Sequence, residues 1–160
     1  MKASGVSDYS VATIWLIQKH QYYLIDLVRD RFDFPQLKQR AISLKEQYPH
    51  STILVEDKAS GTSLIQELRR AQITVIAVNP DSDKEGRLYS CQPEFESGAV
   101  FFPAQASWVP ELIDELLGFP GTRHDDQVDS LTQAIRWNKR QPPPMTFHPP
   151  FVFSVPRNFP

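Results

Sequence analysis

The sequence predicts an α/β domain, a mixed sheet with helices packed on it, and three observations carry that expectation. Two β-rich segments near the N-terminus are separated only by Lys19-His20-Gln21, which reads as an antiparallel hairpin. Downstream, short apolar runs alternate with amphipathic helical patterns. One of those runs, Ile53-Leu54-Val55, is apolar at three consecutive positions and suits a strand buried on both faces.

With 160 residues the chain is long enough for one domain with a real core and too short for two comfortable ones. Hydrophobic residues at 41% and charged residues at 22% describe an ordinary soluble globular protein. A formal charge of -2 excludes binding driven by net charge alone, but not an enzyme whose acids hold metal ions beside a phosphate backbone. Cys91 is the single cysteine, which excludes a disulfide framework or a Cys-rich zinc site and fits a reducing compartment. No apolar run approaches the ~18 residues of a membrane span, and the start Met1-Lys2-Ala3-Ser4-Gly5 lacks a signal-peptide core. A soluble, cytoplasmic protein without membrane contact is expected.

The elements follow in order. Residues 1–8 are small and polar. Val11, Thr13, Ile14, Trp15 and Ile17 predict a strand over Tyr9 to Gln18, and Tyr22 to Val28 forms its hairpin partner. Asp33 and Pro35 are suited to cap and open a helix, whose apolar face is Phe34, Leu37, Ala41, Leu44 and Tyr48. A strand over Thr52 to Val55 leads into Glu56-Asp57, and Gly61-Thr62-Ser63 opens a second helix. Thr74 to Val78 is a further strand. The polar stretch 81–97 carries one short helix with Lys84 and Arg87 three apart. Ala99 to Phe102 is a brief strand stopped by Pro103. Helices over Trp108 to Leu117 and from about His124 to Asn138 complete the domain, placed at residues 6–139. The tail, 140–160, is rich in proline and is expected to be extended and peripheral. The hairpin starts within ten residues of the terminus, so the sheet looks short by one strand.

Two acidic clusters carry the chemistry. On the last helix Asp125, Asp126 and Asp129 share roughly a quadrant to a third of the circumference, while Val128, Leu131, Ala134 and Ile135 occupy the other side. The apolar face can dock on the sheet while the carboxylates project together; the alternative is an acid-rich first turn favoured by the helix dipole. At the end of the middle strand, alternation sends Glu56 and Asp57 to opposite faces, so at most one joins such a site. Carboxylates from two elements meeting at one sheet edge suit Mg²⁺ or Mn²⁺. Two such ions can support phosphodiester hydrolysis. Lys58, Lys84 and Arg87 are candidate phosphate contacts, or simply surface charge. His124 reads as a helix-start residue before a ligand, and Cys91 as a packing residue. The Gly61 turn lacks the pattern of a nucleotide phosphate loop.

Several phrases occur together in order: Asp8-Tyr9-Ser10-Val11, Asp26-Leu27-Val28-Arg29, Asp33-Phe34-Pro35, Val55-Glu56-Asp57-Lys58-Ala59-Ser60-Gly61, Phe95-Glu96-Ser97-Gly98-Ala99-Val100-Phe101-Phe102-Pro103 and His124-Asp125-Asp126-Gln127-Val128-Asp129. Over residues 6 to 138 this set resembles the C-terminal nuclease domain of the phage terminase large subunit. The resemblance implies an RNase H-like mixed sheet flanked by helices and a two-metal endonuclease that cleaves concatemeric double-stranded viral DNA in the host cytoplasm. It implies the terminase small subunit and the portal protein as partners. By position, Glu56 is similar to the family's central metal-binding acid, Asp126 or Asp125 to its last one, and Asp129 to a supporting acid. The family's first catalytic aspartate lies on a strand ahead of the hairpin, and this chain begins at about the residues that follow it. The expectation is therefore an incomplete domain, without that strand and the preceding ATPase domain, whose activity is uncertain. The alternative is a catalytically impaired prophage remnant that only binds DNA or a packaging protein.

Overall fold

The computed structural model describes residues 9–79 and 83–141, together with the backbone of Ser154–Val155. The polar start at 1–8 and the proline-rich stretch 142–150 lie outside the described residues.

Strands β1 (Ser10–Gln18) and β2 (Gln21–Asp30) form the expected hairpin, antiparallel from Ser10 opposite Asp30 to Gln18 opposite Gln21, with a bulge at Ile14/Trp15. Lys19 and His20 at its tip have φ of 50° and 63°, the left-handed pair that lets a two-residue turn follow the twist of the strands. Helix α1 (Phe34–Gln47) starts as its sequence dictates. Asp33 accepts from the Gln36 amide, Gln36 returns the bond, and Pro35 occupies the first turn. Strand β3 (Thr52–Glu56), helix α2 (Ser60–Arg70) and strand β4 (Val75–Val78) then form a strand–helix–strand unit in which β3 and β4 are parallel.

The polar stretch holds two helices rather than one, α3 (Lys84–Tyr89) and α4 (Gln92–Glu96), because Pro93 restarts the helix after the turn at Ser90-Cys91. Strand β5 (Val100–Phe101) runs parallel to β2. Helices α5 (Val109–Gly118) and α6 (Asp126–Lys139) follow. The last helix starts two residues later than expected, since Asp125 has φ -133° and ψ 13° and stands outside it. The tail is not wholly peripheral: Ser154–Val155 forms β6, which pairs in parallel with Thr52 and Ile53 of β3.

Two three-stranded ladders result, β5-β2-β1 and β6-β3-β4, and β6 touches β1, so they lie edge to edge. The result is the mixed sheet flanked by helices that the sequence predicts. Strand β1 is its centre, with Val11 to Trp15 entirely buried. Alternation divides its side chains between two cores. Ala12 and Ile14 pack with α1, α2 and the Ile53/Val55 face of β3. Val11, Trp15 and Ile17 pack with Leu112 of α5 and Leu131, Ala134 and Ile135 of α6. No helix among the described residues is long and apolar enough to cross a membrane.

Candidate metal and nucleic-acid site

The end of β3 separates its two acids as alternation requires. With Ile53 and Val55 facing α1 and α2, Glu56 turns to the α6 side and is 5% exposed. Asp57 is exposed and accepts a 2.7 Å hydrogen bond from Thr62 Oγ1, a local contact within the turn. Lys58 is exposed, and its amide donates to the Glu56 carbonyl. The turn brings α2 so close that a Cβ at Gly61 would lie 2.1 Å from that carbonyl oxygen. Glycine is needed here for the approach of two backbones rather than to open a helix.

The acids of α6 are sorted by what lies against them. Asp129 is buried beneath α3, where Arg87 Nη2 donates to it at 2.7 Å and Lys84 Nζ approaches to 3.0 Å. Lys84 also donates to Asp125 at 2.6 Å. Burial alone would lower the Lys84 pKa, but hydrogen bonds to Asp125 and Asp129 outweigh it and the pKa is raised. Two of the three cations named as phosphate contacts, Lys84 and Arg87, are therefore engaged with two of the acids. Asp126 is different. It is half-buried and, among the described residues, makes no side-chain hydrogen bond or ion pair. Burial and then the charges of Asp125, Glu115 and Asp129 push its pKa from 3.8 to about 6.

Sequence reasoning missed Glu115. It is 6% exposed, and it receives the Gln127 amide at 2.8 Å, the Val128 amide at 3.0 Å and Gln127 Nε2 at 2.7 Å. It thereby supplies from α5 the cap that Asp125 does not give α6. The available signal was its position three residues after Leu112, on the inward face of α5. His124 sets its ring edge-on to Tyr9 at 5.2 Å, and Arg29 and Arg31 stack on the same tyrosine. Arg29 is also ion-paired with Glu111.

Glu56 lines a small cavity of about 50 Å³ with Arg87, Gln133, Arg136, Trp137 and Arg140. Arg136 and Arg140, also missed in the sequence, give this recess a basic wall. Gln133 is seven residues beyond Asp126, roughly 10 Å along the helix axis. The structure thus gathers Asp125, Asp126 and Asp129 at the start of α6, and sets Glu56 beside a later turn with Arg87 between them.

A family model for the terminase RNaseH-like domain matches residues 3–136. The chain belongs to that family. The mixed sheet flanked by helices agrees with an RNaseH-like terminase domain, and the match supports a terminase C-terminal nuclease module. No curated protein and no solved structure gives a significant match.

RNaseH-like terminase domains generally use divalent metals. The donor chemistry of this chain suits a hard cation, because Asp126 and its neighbours are carboxylates and Asp126 has no counter-charge in contact. As placed, however, no group of three His, Cys, Asp or Glu among the described residues could hold an ion. Asp125 and Asp126 lie side by side at the start of α6, and Glu56 stands apart from them.

Two outcomes follow for the protein in EDTA. Arg87→Met takes the buried guanidinium away from buried Asp129 and should cost about 3 kcal/mol in urea unfolding, whereas Arg87→Met with Asp129→Leu should regain most of it. A single-variant cost within experimental error would contradict the pairing. For Asp126 the folded state holds a proton between pH 3.8 and about 6 that the unfolded state has lost, so stability falls as pH rises through that window. Asp126→Asn should accordingly be more stable than wild type at pH 8 by on the order of 1 kcal/mol, after a discount for partial exposure. That advantage should vanish in melts recorded below pH 4.

Proposed function

We propose that the chain is the metal-dependent endonuclease module of a viral DNA-packaging terminase, acting on concatemeric double-stranded DNA. Glu56, Asp126 and Asp125 are its catalytic, metal-binding acids, and Asp129 supports them. The observation that carries this reading is Asp126, a half-buried carboxylate among three other acids with no cation in contact. An RNaseH-like terminase domain gives such a position a use, since an ion bound there offsets the burial and the like-charge repulsion that raise the pKa.

A bound Mg²⁺ or Mn²⁺ would supply Lewis-acid stabilisation of phosphoryl oxygens and a more acidic water. The chain's own residues do the rest. Glu115 holds the first turn of α6 by its amides and so fixes where Asp126 projects. Arg87 and Lys84 neutralise Asp129 and Asp125, which limits how much negative charge meets an incoming phosphate. Arg136 and Arg140 beside Glu56, with exposed Lys58 at the same strand end, are the cations best placed for a DNA backbone. Lys84 and Arg87 join them where a phosphate or metal takes over their present carboxylates. The terminase small subunit and the portal are the corresponding protein partners.

One observation favours a second reading, a remnant that binds DNA or a packaging protein without cutting. It is the lack, among the described residues, of three acids placed around one ion. Plasmid nicking in Mn²⁺ separates the two. The nuclease reading predicts metal-dependent nicking that drops at least about 100-fold in Asp126→Asn and in Glu56→Gln. Nicking that survives Glu56→Ala combined with Asp126→Ala would sink the site assignment. DNA retention in a gel-shift assay with no nicking at any metal concentration would favour the binding module.

A further inference from the structure

The chain fills the space between β1 and β3 with its own C-terminal residues. Ser154–Val155 pairs in parallel with Thr52 and Ile53 and also touches β1 and α6. The surrounding sequence is suited to a strand, since Phe151-Val152-Phe153-Ser154-Val155 is aromatic and β-branched and is bracketed by Pro150 and Pro156. Among the described residues, pairing on this flank of β3 takes in Thr52 and Ile53. On the other flank, pairing with β4 runs on to Glu56.

Both neighbours of β6 are core strands. Ile53, Leu54 and Val55 are at most 1% exposed, and Val11 to Trp15 are fully buried. An open gap between two such strands would bury amide and carbonyl groups without partners, which a folded interior does not tolerate. Among the described residues β1 is paired with β2 along one edge only, and its other edge looks onto β6. The position is therefore one where the sheet requires a strand. The occupant has a further property: residues 142–160 contain no Asp or Glu.

We propose that Ser154–Val155 is a plug strand, and that the slot between β1 and β3 is a strand-acceptor site filled in cis by these C-terminal residues. It joins the two ladders into one sheet and brings no carboxylate to the edge where Glu56 and α6 meet. The plug stands independently of the proposed chemistry, because it rests on strand pairing and burial alone.

The test is a disulfide across the register in the full chain. Directly paired residues of neighbouring strands lie within the ~4.4–6.8 Å Cα separation that a disulfide spans. Cys91 is buried and does not compete. Thr52→Cys with Ser154→Cys should oxidise to an intramolecular bond, seen as a faster-migrating monomer under non-reducing conditions, whereas Ser63→Cys with Ser154→Cys should not. Disulfide-linked dimers would overturn occupation in cis by showing that a second copy supplies the strand. Failure of both pairs to close would overturn the pairing itself. A second measurement uses Ser154→Pro with Val155→Pro, which removes the ladder amides from a chain of full length. Hydrogen exchange of β1 and β3 amides should speed up about tenfold or more while α1 is little changed. Unchanged exchange in β1 and β3 would also overturn the plug.

Discussion

Arg87 and Asp129 have side chains only 4% exposed, and the 2.7 Å contact between them ties α3 to α6 in an interior where neither charge could stand alone. The rest of the acid edge depends on this pair. It turns Asp129 inward, brings Lys84 within reach of both Asp129 and Asp125, and leaves Asp126 as the one acid of the first turn without a cation. It also puts a guanidinium into the recess that Glu56 lines. A single ion pair thus decides which carboxylates are neutralised and which are left available.

Helix α6 is consequently more than an amphipathic helix laid on a sheet. It is buried at nine consecutive positions, from Gln127 to Ile135, so its polar residues need partners from surrounding elements. Ser130 meets Thr13 of β1 at 3.0 Å, Gln127 meets Glu115 of α5, and Asp129 meets Arg87 of α3. Each bond joins a different element to the same helix. Their combined effect is to fix the rotation of α6, and hence the direction in which Asp126 and Asp125 project. The cost is a half-buried carboxylate beside other acids, and burial first and then their charges raise the pKa of Asp126.

The hairpin, the helices and the alternation at Glu56-Asp57 were legible because each rests on local periodicity, capping residues or strand geometry. The Asp33/Gln36 cap and the placing of Glu56 on one face and Asp57 on the other belong to this class. The three acids of α6 were legible as a cluster, but not their division of roles. That division depends on α3, about forty residues earlier in the chain, and on Glu115 of α5. The inward position of Glu115, three residues after Leu112, is periodic, but its partners on α6 are not, and the α3 contact leaves no periodic trace. The return of Ser154–Val155 to the sheet was hidden for a related reason. Proline-rich composition describes the tail on average, and a two-residue ladder between prolines is decided by the vacancy it fills.

Membership of the terminase RNaseH-like family gives the sheet edge a context, and the electrostatics of Asp126 give it a physical rationale. A carboxylate held at high energy by burial and by like charges is a place where a divalent cation is stabilising and where protonation substitutes for it. The most direct test is a carbon-detected NMR titration of the Asp126 side chain, in EDTA and again in excess Mg²⁺. The account predicts a midpoint near 6 without metal and a clear fall when Mg²⁺ is present. A midpoint at the ordinary aspartate value of 3.8, unmoved by Mg²⁺, would contradict it.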